Sequence, residues 1–124
     1  MPNRLVQLGL LSLALLVART AFCQTEITVR EKPLESRALS GTVQLGDSPE
    51  GLKGVLVEWC SPDWKTVKTS TRTDEKGRFS FSKASKKELH YLRFSLPGAH
   101  TLQVKVKIIR SGPKELAVRL EFAT

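Results

Sequence analysis

Few side chains in this sequence could do chemistry, and they do not form an obvious set. His90 and His100 are the only imidazoles. A zinc site takes three or four ligands, and Asp74, Glu75 and Asp47 lack the spacing of a calcium loop. The two histidines therefore read as one at a strand start and one in a loop. No metal and no other cofactor is expected. Cys60 follows Trp59 at the end of an apolar stretch. It reads either as an inert, partly buried thiol or as a reactive or intermolecularly paired one. There is no Gly-x-Ser-x-Gly elbow and no Gly-rich phosphate loop. With no nucleophile and base in sight, no catalytic residue is assigned and the chain is not expected to be an enzyme.

Binding chemistry is better represented. Trp59 and Trp64 flank a turn that also holds Asp63, and exposed aromatic rings serve as platforms for sugars. Trp59, Trp64, Asp63 and the single tyrosine, Tyr91, are thus the candidate ligand-binding residues. The plainer reading puts Trp59 in the core and Trp64 over one end of the fold.

The second binding feature is charge. Lys and Arg total 20 against 12 Asp and Glu, a formal net charge of +8. Lys65, Lys68 and Arg72 are expected on the outward face of one strand and the residue leading into it, Lys105 and Lys107 on that of another, and Lys83, Lys86 and Lys87 cluster in a loop. Such charge attracts anionic polymers or membrane surfaces. It equally suits solvated faces whose lysines discourage edge pairing. No aromatic stripe runs through the basic positions, so nucleic acid is not an expected partner.

The N-terminus bears on where such partners would be met. Arg4 precedes Leu5–Val17, an uncharged and mostly apolar run. A spanning helix needs roughly 20 apolar residues. A shorter run after a basic residue and before small ones reads as a secretory signal peptide. Ala21-Phe22-Cys23 predicts a cut before Gln24; Ala18-Arg19-Thr20 is an earlier alternative. Lipidation of Cys23 and an uncleaved anchor are the competing readings. Cleavage would remove Arg4 and Arg19 and no acid, turning +8 into +6. It would also leave Cys60 as the one thiol; if Cys23 stayed, a Cys23–Cys60 bridge becomes conceivable. The expected location is secreted or periplasmic, with no transmembrane segment in the mature chain. The expected partners are an envelope polysaccharide or another envelope protein.

The elements that must position these residues are strands. In Leu102–Ile108 and Leu116–Phe122 apolar and polar residues alternate, so one face is buried and the other wet. Ser40–Leu45, Gly54–Trp59, Thr66–Thr73, Arg78–Phe81 and His90–Leu96 read as five more strands. In these, Val55, Val57 and Trp59 share one face, and Leu92, Phe94 and Leu96 share another. Turn-forming residues separate them, as in Asp74-Glu75-Lys76-Gly77 and Pro97-Gly98. Seven short strands about ten residues apart predict an antiparallel β-sandwich. Residues 24–37 read as a polar lead-in with an edge strand around Ile27-Thr28-Val29.

Gly41-x-Val43, Gly54-Val55-x-Val57, Thr73-Asp74-x-x-Gly77-x-Phe79-x-Phe81 and Leu92-x-Phe94-x-x-x-Gly98 together resemble the carboxypeptidase regulatory-like domain. That family has a transthyretin-like (prealbumin-type), seven-stranded Greek-key sandwich. The resemblance spans about residues 38–122 and places one domain over 38–124. It is greatest to small bacterial secreted members in which the domain stands alone. It implies that Gly77 permits the turn between the third and fourth strands and that Gly98 ends the fifth. It also implies that Phe79 and Phe81 fill the core opposite Val55 and Val57. The matched residues report fold rather than activity, and such domains are generally accessory, binding or stabilising modules. Enzymes on transthyretin-like folds carry marks that this chain lacks. The C-terminus is not Tyr-Arg-Gly-Ser, and a single tyrosine cannot build a two-Tyr, two-His iron centre.

Overall fold

The structure is a computed structural model and describes residues 27–123. The expected export signal over 1–23 and its cut after Cys23 lie outside the described residues. Nine strands and no helix are present among them: β1 (Ile27–Val29), β2 (Leu34–Ser36), β3 (Ser40–Leu45), β4 (Leu56–Cys60), β5 (Val67–Arg72), β6 (Arg78–Ser80), β7 (His90–Ser95), β8 (Thr101–Ile108) and β9 (Leu116–Leu120). They form two sheets. The larger runs β1-β8-β7-β4-β5, with β2 also on β8; the smaller runs β6-β3-β9.

Period-two patterning explains how the sheets meet. Leu92 and Phe94 of β7, Val104, Val106 and Ile108 of β8, and Leu116, Val118 and Leu120 of β9 are all buried. They join Val55, Val57, Val43, Leu39 and Phe79 in one apolar core shared by both sheets. Fully burying an aliphatic or aromatic side chain contributes about 1.5–3 kcal/mol, so this common face is what holds the layers together. The all-β architecture matches a β-sandwich. Phe79 stacks edge-on against Phe94 of the opposite sheet, with centroids 5.4 Å apart.

Two features differ from the sequence expectation. The sheets are mixed rather than antiparallel: β1 and β2 run parallel to β8, and β3 runs parallel to β9. Nine strands rather than seven are present: the edge strand read around Ile27-Thr28-Val29 forms as β1, and a further strand of the lead-in, β2, was not expected; both pair with β8. Leu34-Glu35-Ser36 is too short, and too close to Pro33, to announce itself by alternation. Its register opposite Val106, Lys107 and Ile108 is supplied by β8.

A third difference lies in β5. Trp59 pairs with Thr69 but Cys60 pairs with Val67, so the register shifts and Lys68 is the extra residue of a bulge. Lys68 therefore leaves the outward row expected with Lys65 and Arg72. Its Nζ stands 5.9 Å from the centroid of the Trp59 ring.

Thr73 is a buried polar link just after β5. Its hydroxyl accepts from the Val55 amide at 2.9 Å and donates to the Leu52 carbonyl at 2.5 Å. The segment entering β4 is thereby fastened to the end of β5. Among the described residues no helix is long and apolar enough to cross a membrane.

Candidate functional site

The two tryptophans lie on opposite faces of the larger sheet. Trp59 shares the parity of Val57 and turns toward the core. Its ring packs 5.6 Å from Phe81 and 5.2 Å from His90, centroid to centroid. Its indole N–H is buried with no hydrogen-bond partner among the described residues. Trp64 sits on the outer face, edge-on to Tyr91 at 5.4 Å and 85°. Trp59 and Trp64 therefore cannot form one platform, whereas Trp64, Tyr91 and Asp63 are brought together.

The loop carrying Trp64 is tightly bonded. The Asp63 carboxylate accepts from the Ser61 hydroxyl at 2.6 Å and from the Lys65 amide at 3.0 Å. These two bonds, that of Ser61 foremost, hold the Asp63 carboxyl below its usual pKa. The Ser61 amide donates to the Thr66 carbonyl at 2.8 Å and the Trp64 amide to the Ser61 carbonyl at 2.9 Å. Trp64 has φ +67°, a left-handed conformation unusual for so large a residue. Arg93 anchors it from β7: its Nη1 donates to the Trp64 carbonyl at 3.2 Å, while its Nε meets Glu58 Oε1 at 2.8 Å. This half-buried pair was not singled out from the sequence. Its one signal is that Glu58 and Arg93 are the outward-facing residues of neighbouring strands, in direct register.

Cys60 lies on this same outer side, in register with Tyr91, yet it is wholly buried. Its thiol donates weakly to the Glu58 carbonyl at 3.7 Å. Burial pushes the thiol pKa up, against the pull of Arg93 and with a further push from Glu58. A neutral, inaccessible thiol is a poor nucleophile.

The two histidines lie at opposite ends of the β7–β8 hairpin. His90 opens β7 and is buried; its Nε2 lies 2.7 Å from the Ser85 carbonyl, which can only accept, so Nε2 carries the proton. His100 precedes β8 at the other end of the β7–β8 hairpin, and its amide donates to the Glu121 carbonyl at 2.9 Å. Among the described residues no three His, Cys, Asp or Glu are grouped to hold a metal.

The remaining sequence-singled residues act in the fold. Val55, Val57, Phe79 and Phe94 are buried and Phe81 is half-buried. Gly77 and Gly98 have φ +80° and +90°. The Gly77 amide donates to the Asp74 carbonyl at 2.9 Å and closes the β5–β6 turn. The Asp74 carboxylate accepts from the Arg78 and Lys76 amides at 3.0 and 2.9 Å, which holds its carboxyl below the usual pKa.

The structure also assembles something that no local pattern displays. At the end of the sandwich where β6 leaves and β7 begins, a cleft of about 410 Å³ opens. Its floor is Leu39, Phe81, Ala84 and Ile108, and Arg37, Lys83 and Lys86 stand around it. Its lining has three cations and no acid. A second cleft, of about 330 Å³, shares Lys86 and adds Lys87, Lys107, Leu89, Pro33 and Glu88. Volumes of about 300–1,000 Å³ are usual for ligand sites. Arg37 is tied down by its Nε, which donates to the Gly112 carbonyl at 3.0 Å. Lys83, Lys86 and Lys87 take part in none of the three ion pairs among the described residues. The loop cluster of lysines was legible in the sequence. Arg37 and the apolar floor beside it come from distant positions and were not.

No protein-family model and no curated protein matches this chain.

Proposed function

We propose that this chain is an exported, non-catalytic β-sandwich module that binds an anionic partner or surface through one end of the sandwich. The observation that carries this reading is the cleft rimmed by Arg37, Lys83 and Lys86 over an apolar floor. Cations gathered without an acid among them raise the local concentration of anions and speed encounter with them. The export signal read over residues 1–23 sets the expected meeting place in the envelope or outside it. The resemblance to the carboxypeptidase regulatory-like domain, with its Greek-key transthyretin-like topology, supports an accessory rather than a catalytic role. It rests on the turn and core residues quoted above.

The test is retention of the purified protein on dextran sulfate at low and high salt. Wild-type retention should be lost at high salt, and Lys83→Glu/Lys86→Glu should abolish it at low salt. Retention that ignores both salt and the charge reversal would sink the reading. Robust hydrolytic turnover by the pure protein would overturn its non-catalytic half.

A second reading has one specific observation in its favour. Trp64 and Tyr91 form an aromatic pair on the outer sheet face beside Asp63, positioned by Arg93. That pair is the form in which a carbohydrate- or cell-wall-binding site survives, without Trp59. A glycan array probed with wild type and Trp64→Ala tests it; equal signals from the two proteins would dismiss it.

A further inference from the structure

We propose that the cation-rimmed end of the sandwich docks onto an anionic lipid bilayer. Arg37, Lys83 and Lys86 would hold a lipid phosphate, and the adjoining hydrocarbon would lie on the half-buried Phe81 and Ala84, above the buried Leu39 and Ile108. The inference rests on the anionic-partner reading above and names its partner. A hydrophilic polyanion needs only charge, and would leave the apolar floor uncovered. An amphiphile with a negative headgroup satisfies both halves of the cleft, because its apolar part leaves water when it covers that floor.

Two further observations fit a surface rather than one small anion. The cleft has a neighbour across Lys86, and the two together present Arg37, Lys83, Lys86, Lys87 and Lys107 against the single acid Glu88. Clusters of four or more basic residues bind anionic lipid surfaces, each residue adding to the attraction. The loop that bears most of them is exposed at Ser82, Lys83 and 85–88, so a flat partner can reach it. Arg37 is also held in place before any ligand arrives: its Nε is engaged by Gly112, and its amide donates to the Pro113 carbonyl at 2.8 Å.

The experiment uses a chain beginning at Gln24, which contains all nine strands and the whole core and lacks the apolar N-terminal run. It is sedimented with phosphatidylglycerol-containing vesicles and with pure phosphatidylcholine vesicles. Binding should require phosphatidylglycerol and weaken with salt. Lys83→Ala/Lys86→Ala should lower the affinity about 25-fold, about fivefold for each charge. Ala84→Glu, in the cleft, should reduce it far more than Ala117→Glu, the same change on the exposed side of β9. Melting temperatures check that each variant is folded; the lysine pair is exposed and keeps the test decisive if Ala84→Glu unfolds.

Equal losses in the two glutamate variants, with both folded, would overturn docking at this cleft. So would vesicle binding untouched in the lysine double variant. Retention on dextran sulfate without vesicle binding would also overturn the lipid proposal, while leaving the broader anionic reading intact. Failure to bind either material would remove both.

Discussion

Replacing Gly77 with alanine should be far more damaging than replacing Gly98 with alanine, although both glycines have similar positive φ. An L-residue in a left-handed conformation costs about 1–2 kcal/mol, and φ values of +80° and +90° impose that on both variants. The surroundings differ. A Cβ on Gly77 would stand 2.5 Å from the Leu52 nitrogen and 2.6 Å from the Gly51 Cα, both backbone atoms. At Gly98 no described residue beyond its chain neighbours lies within 4 Å of that position. Backbone cannot rotate aside as a flexible side chain can, and forcing extra carbon into a packed place costs about 1–3 kcal/mol more. Gly77→Ala should therefore lose about 2–5 kcal/mol and Gly98→Ala about 1–2 kcal/mol. With an m-value of about 2 kcal/mol/M, the urea midpoint should fall by about 1–2.5 M in the first and about 0.5–1 M in the second. Tryptophan fluorescence follows the transition, and an unchanged slope shows that the same surface is exposed. Equal midpoint shifts would refute the steric half of the reasoning. No shift in either would refute the conformational half.

Phe94 is fully buried between the sheets, so Phe94→Ala should cost about 3–5 kcal/mol in urea unfolding. Trp59→Phe should cost less than about 1.5 kcal/mol, because the volume lost is offset by removing an unpartnered buried N–H; a loss matching that of Phe94→Ala would contradict this account. Asp74 has a folded pKa held below its unfolded value of about 3.8 by the Arg78 and Lys76 amides. Its contribution to stability is present above that value and lost as the pH falls through the folded pKa. The acid-side decline in urea midpoint should be shallower in Asp74→Asn, and identical declines would count against the turn. Cys60 should react with Ellman's reagent in the native Gln24 chain only after unfolding in urea, because its thiol is buried with a raised pKa. Fast stoichiometric labelling of the folded protein would show that the site opens.

The strands that alternate cleanly, β7, β8 and β9, were legible because each carries its own record of inside and outside. Leu102, Val104, Val106 and Ile108 cannot be on one face unless the segment is extended. The outward position of Tyr91 follows from the same parity. Alternation failed at β5, where Lys68, one residue of a bulge, carries its exposed charge over the Trp59 ring instead of along the outer face. The bulge exists in the pairing with β4, so no reading of Val67–Arg72 alone contains it. For the same reason Trp59 and Trp64 looked like companions. They are close in sequence, and only the turn through Ser61–Thr66, with Trp64 at positive φ, sends them to opposite faces.

Residue order alone was enough to establish short amphipathic strands in an all-β architecture over the described residues, a basic excess, and turns at Gly77 and Gly98, because these depend on neighbours within a few positions. The parallel pairing of β3 with β9 and of β1 and β2 with β8 was decided in three dimensions. So were the burial of Cys60 beside the Glu58–Arg93 pair and the meeting of Arg37 with Lys83, Lys86 and Ile108 around one cleft. Each joins residues separated by tens of positions. A strand exposes the same backbone donors and acceptors to every potential neighbour, so partner and direction follow from how the apolar faces pack together. The charged clefts at the end of the sandwich are a consequence of that packing.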